Sequence, residues 1–390
     1  MENRRVARYD FLMFVRRREV VVSVFVQVVL GLFLAHGYDF QVSYVAGRNI
    51  VCGSSPYEGG FVEDVLASGY GSYVQGIGET PLWALYTGAA YFLSSGQIFV
   101  FNILLKIPII AANLFLSYFI KMRNGDYRFF LFNPFLLLVT AVWGKPDNIA
   151  ALLALLALYG SHKALNLSVS LMVKPLAVAM APAFICAWLR NMKTIIYTVT
   201  FSTLLFFLPF AAFGWPLETV LNGFVNWFKP AGGISIMNLV EYFYNSPVLP
   251  ETFQAVGYLS VFAILLAIFI GVVFPPTTVD GIARLGLFSA SLFFTVRPWV
   301  SEQNLIIIHA LLIVISNRLP TRLLWVIPLV FAGVNFAIPQ QLYLLWPEVV
   351  ETLALFDHST RLLAKFLVAV IWWWVLWYVI WRKNLWRWMR

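Results

Sequence analysis

Long, predominantly apolar stretches at 20–35, 98–120, 194–213, 255–274 and 362–380 limit what this chain can fold into. Each is close to the ~17–25 residues that cross a bilayer core as a helix. Backbone inside lipid must satisfy its own N–H and C=O groups, so only helices or a closed barrel can span it. No segment shows the ten-residue alternation of an outer-membrane barrel, and helices are left. Composition agrees. Of 390 residues, 61% are hydrophobic and 12% charged, with mean hydropathy +0.80, whereas a soluble domain has about 45–50% and about 25%. A soluble enzyme, a disordered chain and a disulfide scaffold are excluded. The fold class read here is all-α, a polytopic membrane helical bundle.

The net charge of +9 sits in short clusters between apolar runs, including Arg4, Arg5, Arg8, Arg16, Arg17 and Arg18 at one end and Arg382, Lys383, Arg387 and Arg390 at the other. That distribution orients a membrane protein and does not suggest a nucleic-acid partner. No small-residue cleavage site closes the first run, so it reads as a retained helix rather than a signal peptide. Keeping most Lys and Arg inside requires that 81–95 not be a full span. It opens at Pro81 and is short, which suits a juxtamembrane or re-entrant helix. The resulting order runs from a cytoplasmic N-terminus through helix 20–36 to a large external loop, 37–97. Helices near 98–120, 129–143 and 147–162 follow, then a pair, 164–174 and 175–189, broken at Lys174-Pro175. Helix 194–213 leads to a second external loop, 214–252, and helices near 253–274, 282–297, 303–316, 323–338 and 362–381 precede a cytoplasmic tail. The expectation is about twelve transmembrane helices in one domain spanning 1–390. Cys52 and Cys186 fall on opposite sides and are not expected to pair.

Ionisable groups at bilayer depth cost at least ~2.5–3.5 kcal/mol, so those that persist mark sites or buried pairs. Asp39, Glu79, Lys106, Lys145, Asp147, Lys174, Arg297, Glu302 and His309 fall mostly at external helix ends and breaks, around one outward-opening cavity. Asp39 directly follows the first helix and could deprotonate a hydroxyl at the membrane surface, or be a plain loop acid. Lys174 at its Pro break could bind phosphate or snorkel to the interface. Arg297 could hold phosphate with its planar fork or pair with Glu302. His309 reads as a packing histidine, and Trp372, Trp373, Trp374, Trp377, Trp381, Trp386 and Trp388 as an interfacial belt. Tyr44, Tyr57 and Trp227 are aromatic residues of the two predicted external loops. No metal-ligand spacing, phosphate-binding glycine loop or nucleophile elbow occurs. A transporter using the same charged cavity is the rival reading, although no inverted repeat is visible.

The external-loop residues Asp39-x-Gln41-Val42, Ala46-x-Arg48, Gly53-x-Ser55-Pro56-Tyr57 and Thr80-Pro81-Leu82 resemble the first lumenal loop of GPI mannosyltransferase I, a member of the GT-C superfamily of integral-membrane glycosyltransferases. Asn133-Pro134, Gly144-x-x-Asp147, Met172-x-Lys174 with Pro182, and more loosely Ser301-x-Gln303, resemble later family segments in the same order. The resemblance implies a conserved module over about 20–252 and variable C-terminal helices over about 253–390. It also implies inverting transfer of mannose from a polyprenyl (dolichyl) phosphate donor to a lipid-linked or membrane glycan acceptor at the external or lumenal face. The membrane would be the plasma membrane of a prokaryote or the endoplasmic reticulum of a eukaryote. By the match Asp39 is the acceptor-activating base, while Gly37 stands where the family carries the first Asp of an Asp-x-Asp pair. Gln41, Arg48, Tyr57, Glu79, Lys145, Asp147, Lys174, Arg297, Glu302 and Gln303 are the expected substrate-binding residues. No cofactor is required by this reading, a divalent metal is left open, and the family allows a small partner subunit.

Overall fold

The computed structural model describes residues 10–61, 73–189, 191–219, 232–244, 250–335, 338–346 and 358–386. Trp227, Trp388 and the terminal Arg4, Arg5, Arg8, Arg387 and Arg390 lie outside the described residues. The fold is all-α. In chain order the helices are α1 (Arg18–Phe33), α2 (Gly37–Val51), α3 (Pro81–Ser94), α4 (Ile98–Met122), α5 (Phe129–Phe132), α6 (Pro134–Leu137), α7 (Asp147–Tyr159), α8 (Lys163–Val173), α9 (Ala181–Trp188), α10 (Met192–Phe213), α11 (Asn238–Tyr244), α12 (Pro250–Val273), α13 (Val279–Val296), α14 (Ile306–Ser316), α15 (Leu323–Asn335) and α16 (His358–Arg382). A π turn, Leu138–Val142, continues α6, and 3-10 turns Pro175–Met180 and Glu302–Leu305 lead into α9 and α14.

Among the described residues, four helical segments are long and apolar enough to cross a membrane: Ile98–Met122, Met192–Phe213, Val279–Val296 and Thr360–Arg382. A fifth is added if the bent pair Pro134–Val142 and Asp147–Tyr159, which meet at 108°, counts as one broken span. The outward faces are apolar, as a lipid-facing surface requires. On α10, Ile196, Val199, Leu204 and Leu208 are exposed, and on α12 so are Phe262, Leu265 and Phe269.

Several sequence-based boundaries are corrected. The stretch 129–143 is not one helix. Pro134 has no N–H to donate, so α5 stops at Phe132, and the Asn133 side chain restarts the helix by accepting from the N–H groups of Phe135 and Leu136. The segment after residue 36, expected as an external loop, is not a plain loop either, because it contains α2. His36 caps that helix, its Nδ1 accepting from the Asp39 N–H at 3.3 Å. The tryptophans of α16 divide. Trp374 and Trp381 face outward, but Trp372 and Trp373 are core residues whose indole N–H groups donate to Leu324 O and Ile234 O, both at 2.9 Å. Helical geometry sends neighbouring residues about 100° apart, so one Trp run cannot form a single interfacial face.

A single large core joins α4, α7 and the π turn to α13, α14 and α16. A second core packs α2 and α3 on α4, and Tyr343 and Leu344 from the far C-terminal part close it. The C-terminal half also reaches the end of α1 through its backbone, with Ala35 N–H donating to Gln341 O at 3.2 Å.

Candidate active site

Each ionisable group at the centre of the site stands at a punctuated helix start. Lys145-Pro146 precedes α7, Lys174-Pro175 precedes a 3-10 turn, and Glu79 lies two residues before Pro81 at the start of α3. A residue before proline is pushed out of the helical region, and Lys174 obeys with φ −159° and ψ 131°. Asp39 and Asp147 sit in the first turns of α2 and α7, where the positive end of the helix dipole favours a carboxylate. Gly144 makes the sharp turn between the π turn and Lys145 with φ +72°. A Cβ there would lie 3.3 Å from Lys106 Cε, so the site needs glycine for both conformation and space.

These starts converge on a chain of alternating charge. Asp39 Oδ1 lies 2.8 Å from Lys145 Nζ, which is 3.2 Å from Glu79 Oε1. The same Glu79 oxygen is 3.9 Å from Lys174 Nζ, and Lys174 is 2.6 Å from Asp147 Oδ2. Asn304 then donates to Asp147 Oδ1 at 3.0 Å. At the other end His36 Nδ1 lies 3.0 Å from Asp39 Oδ2. The two ends differ in depth: the Asp147 side chain is fully buried, whereas that of Asp39 is 19% exposed. Burial pushes the Asp39 carboxyl up, but the Lys145 ammonium and then His36 outweigh it and hold the group well below the usual carboxylate range. Glu79 is likewise lowered, burial opposing and Lys145 with Lys174 prevailing. Burial, reinforced by the Glu79 carboxylate, raises the Tyr57 hydroxyl.

Lys106 underlies this assembly. Its ammonium, on α4, donates to the carbonyls of Gly31 (3.2 Å) and Leu34, satisfying the C-terminal end of α1 just before His36. Its stem also packs beneath Gly144, so one buried lysine supports both the His36–Asp39 and the Lys145 ends.

Five sequence-predicted residues thus meet: Asp39, Glu79, Lys145, Asp147 and Lys174. Gln41 and Arg48 do not join them. In α2, Gln41 and Arg48 stand two and nine residues beyond Asp39, each about half a turn round the helix. Gln41 therefore points into the second core, donating to the Tyr343 hydroxyl at 2.7 Å, and Arg48 donates to Phe61 O. Tyr44 is a core residue donating to Gly96 O at 2.6 Å. Tyr57 stacks on Phe210 of α10 with centroids 5.7 Å apart. The Arg297 guanidinium lies 5.4 Å over the Phe293 ring, and Glu302 and Gln303 are buried in the turn before α14. From that turn it is Asn304 that reaches Asp147. His309 is buried, its Nε2 2.9 Å from Leu324 O and its ring against Phe129 and Phe135.

His36 and Asn304 are the site members not singled out from sequence. His36 had one legible signal, a capping residue three positions before Asp39. Asn304 had none, because its role depends on α14 meeting α7. Among the described residues no group of three or more His, Cys, Asp or Glu side chains is arranged to hold a metal ion. No protein-family model matches the chain, and no curated protein matches it.

Proposed function

We propose that the chain is an inverting glycosyltransferase of GT-C type. It would move a sugar, mannose by the sequence resemblance, from a polyprenyl-phosphate donor to a lipid-linked or membrane glycan acceptor. The reading takes the architecture as about twelve transmembrane helices with cytoplasmic termini and the Asp39 cluster at the external or lumenal face. The observation that carries it is the alternating chain Asp39–Lys145–Glu79–Lys174–Asp147. A carboxylate at its exposed end lies beside Lys145, and Lys174 follows along the chain through Glu79.

In the proposed reaction Asp39 takes the proton of the acceptor hydroxyl while that oxygen attacks the anomeric carbon. The bond from the anomeric carbon to the phosphate oxygen breaks, and its electron pair leaves with the phosphate. Lys145 and Lys174 neutralise the charge developing there. His36 Nδ1, 3.0 Å from Asp39 Oδ2, orients that carboxylate. Glu79 and Asp147 hold the two ammonium groups in place. One attack from the base side inverts the anomeric centre.

The test is transfer by purified protein from short-chain polyprenyl-phosphate mannose into a membrane lipid extract, with wild type and Asp39→Asn side by side. Transfer that vanishes in Asp39→Asn, with donor binding retained, supports the assignment. Full activity in Asp39→Asn removes Asp39 as the base. Vectorial movement of donor lipid without bond cleavage would favour the transporter reading.

A further inference from the structure

The end of the bundle remote from Asp39 carries a second concentration of charge. The segment from Glu302 to Ser316 begins beside Asp147 and rises for about 20 Å. It ends in a turn, with Asn317 at φ +63°, that leads into α15. Helix α13 also runs between these two ends. Its last residues lead to Trp299 and Val300, which pair with Gly232 and Gly233, so Arg284 near its start lies at the remote end. There an open cavity of about 530 Å³ is lined by Arg284, Arg318, Arg322 and Lys383, four cations contributed by α13, the α14–α15 turn and the tail of α16. Among the described residues no carboxylate lines it. Asp280, the acid nearest in sequence to Arg284, is engaged by Arg123 at 2.9 Å.

We infer that this cavity binds the phosphate of an anionic membrane phospholipid. Orienting a membrane protein requires only that cations lie near span ends. It does not require three separate segments to aim four of them at one cavity. The Arg284 guanidinium donates to Asn384 O at 3.2 Å, which ties the tail to α13 and keeps Lys383 at the rim. Apolar walls from Leu319 and Leu385 complete a pocket suited to a headgroup joined to hydrocarbon. Beside it the surface is apolar and outward-facing: Leu323 is 49% exposed, Trp374 65% and Trp381 71%. Acyl chains can lie along α15 and α16 while the phosphate occupies the cations, the arrangement of basic pockets between membrane helices. A free phosphate would use the cations but not the flanking apolar face. The inference does not depend on the proposed transferase reaction.

The experiment is a native mass-spectrometric titration of the purified full chain with phosphatidylglycerol, cardiolipin and phosphatidylcholine. It compares wild type, Arg318→Gln/Arg322→Gln/Lys383→Gln, and a charge-matched control, Arg16→Gln/Arg18→Gln/Lys193→Gln. All six altered residues are exposed, so both variants should fold, as thermal unfolding in phosphatidylcholine nanodiscs would verify. Wild type and control should bind anionic lipid in preference to phosphatidylcholine. The cavity variant should bind it about a hundredfold more weakly. Equal loss in both variants, no anionic preference in wild type, or displacement of the lipid by inorganic phosphate would each overturn the inference.

Discussion

Lys145 touches two carboxylates at once, and this makes it the residue on which the site's electrostatics turn. It lowers Asp39 and Glu79 together against the opposing effect of burial. A carboxylate held low in the fold contributes stability that is complete above its unfolded value of about 4. That contribution is lost as the pH falls through the folded value. Wild-type protein should therefore keep its thermal midpoint from neutrality to about pH 5 and lose stability steeply only in stronger acid. In Lys145→Gln, burial is opposed at Asp39 only by His36. The Asp39 carboxyl should rise toward the usual carboxylate range. The variant should be less stable at neutral pH and lose less on acidification, and under the proposed reaction the acid limb of its transfer rate should move up with the carboxyl. A thermal-melt series from pH 7 to 3 checks the sign without any substrate. An unchanged profile in Lys145→Gln would mean that Lys145 does not set the Asp39 carboxyl. The lysine positions were legible in sequence as Lys-Pro pairs, but their partners were not, since Asp39 and Lys145 lie 106 residues apart.

At the scale of elements, breaks rather than continuous helices build the site. The π turn and α7 meet at a sharp angle with Gly144, Lys145 and Pro146 at the corner. Two neighbouring glycines should respond oppositely to alanine. At Gly144, with φ +72° and Lys106 Cε 3.3 Å from a new Cβ, the substitution should cost about 1–2 kcal/mol from the left-handed backbone alone. It should lower the thermal midpoint by a few degrees and displace Lys145, weakening transfer. At Gly78 a Cβ meets nothing within 4 Å, so Gly78→Ala beside Glu79 should leave the midpoint within about 0.5 kcal/mol of wild type. Paired melting curves of the two variants decide whether conformation at the corner, and not mere proximity to the charges, is what the site requires. Proline and glycine punctuation marked these corners in the sequence. Helix α2 was less legible, because its apolar and polar residues are mixed within a polar segment. With it, the half-turn that removes Gln41 and Arg48 from Asp39 went unseen.

Across the whole molecule, the Asp39 cluster and the basic cavity stand at opposite ends of the same helices, α13 and α14. Sidedness is directly measurable. Cys52 is exposed just beyond α2, two residues after Ile50, which packs on Phe210 at the end of α10, while Arg322 is exposed at the basic cavity. In sealed, right-side-out vesicles of a Cys186→Ser background, a membrane-impermeant maleimide should label Cys52 and spare Arg322→Cys made in Cys52→Ser. Labelling should reverse in inverted vesicles. Labelling of both sites from one side would rule out this transmembrane arrangement. The C-terminal helices are part of the site's construction, since Asn304 reaches Asp147, and Gln341 and Tyr343 brace the segment holding His36 and Asp39.

Hydrophobic run length and charge clustering by themselves determined that this is a helical membrane chain, because lipid allows few alternatives and each leaves a strong pattern. X-Pro pairs and ionisable residues at helix breaks also located five members of the cluster, because such groups are too costly at depth to be incidental. Tertiary structure alone decided which carboxylate meets which lysine, that His36 and Asn304 complete the chain, and that Trp372 and Trp373 turn inward. Those outcomes depend on the rotation of each helix about its axis and on packing between segments up to hundreds of residues apart. Local pattern carries no record of either.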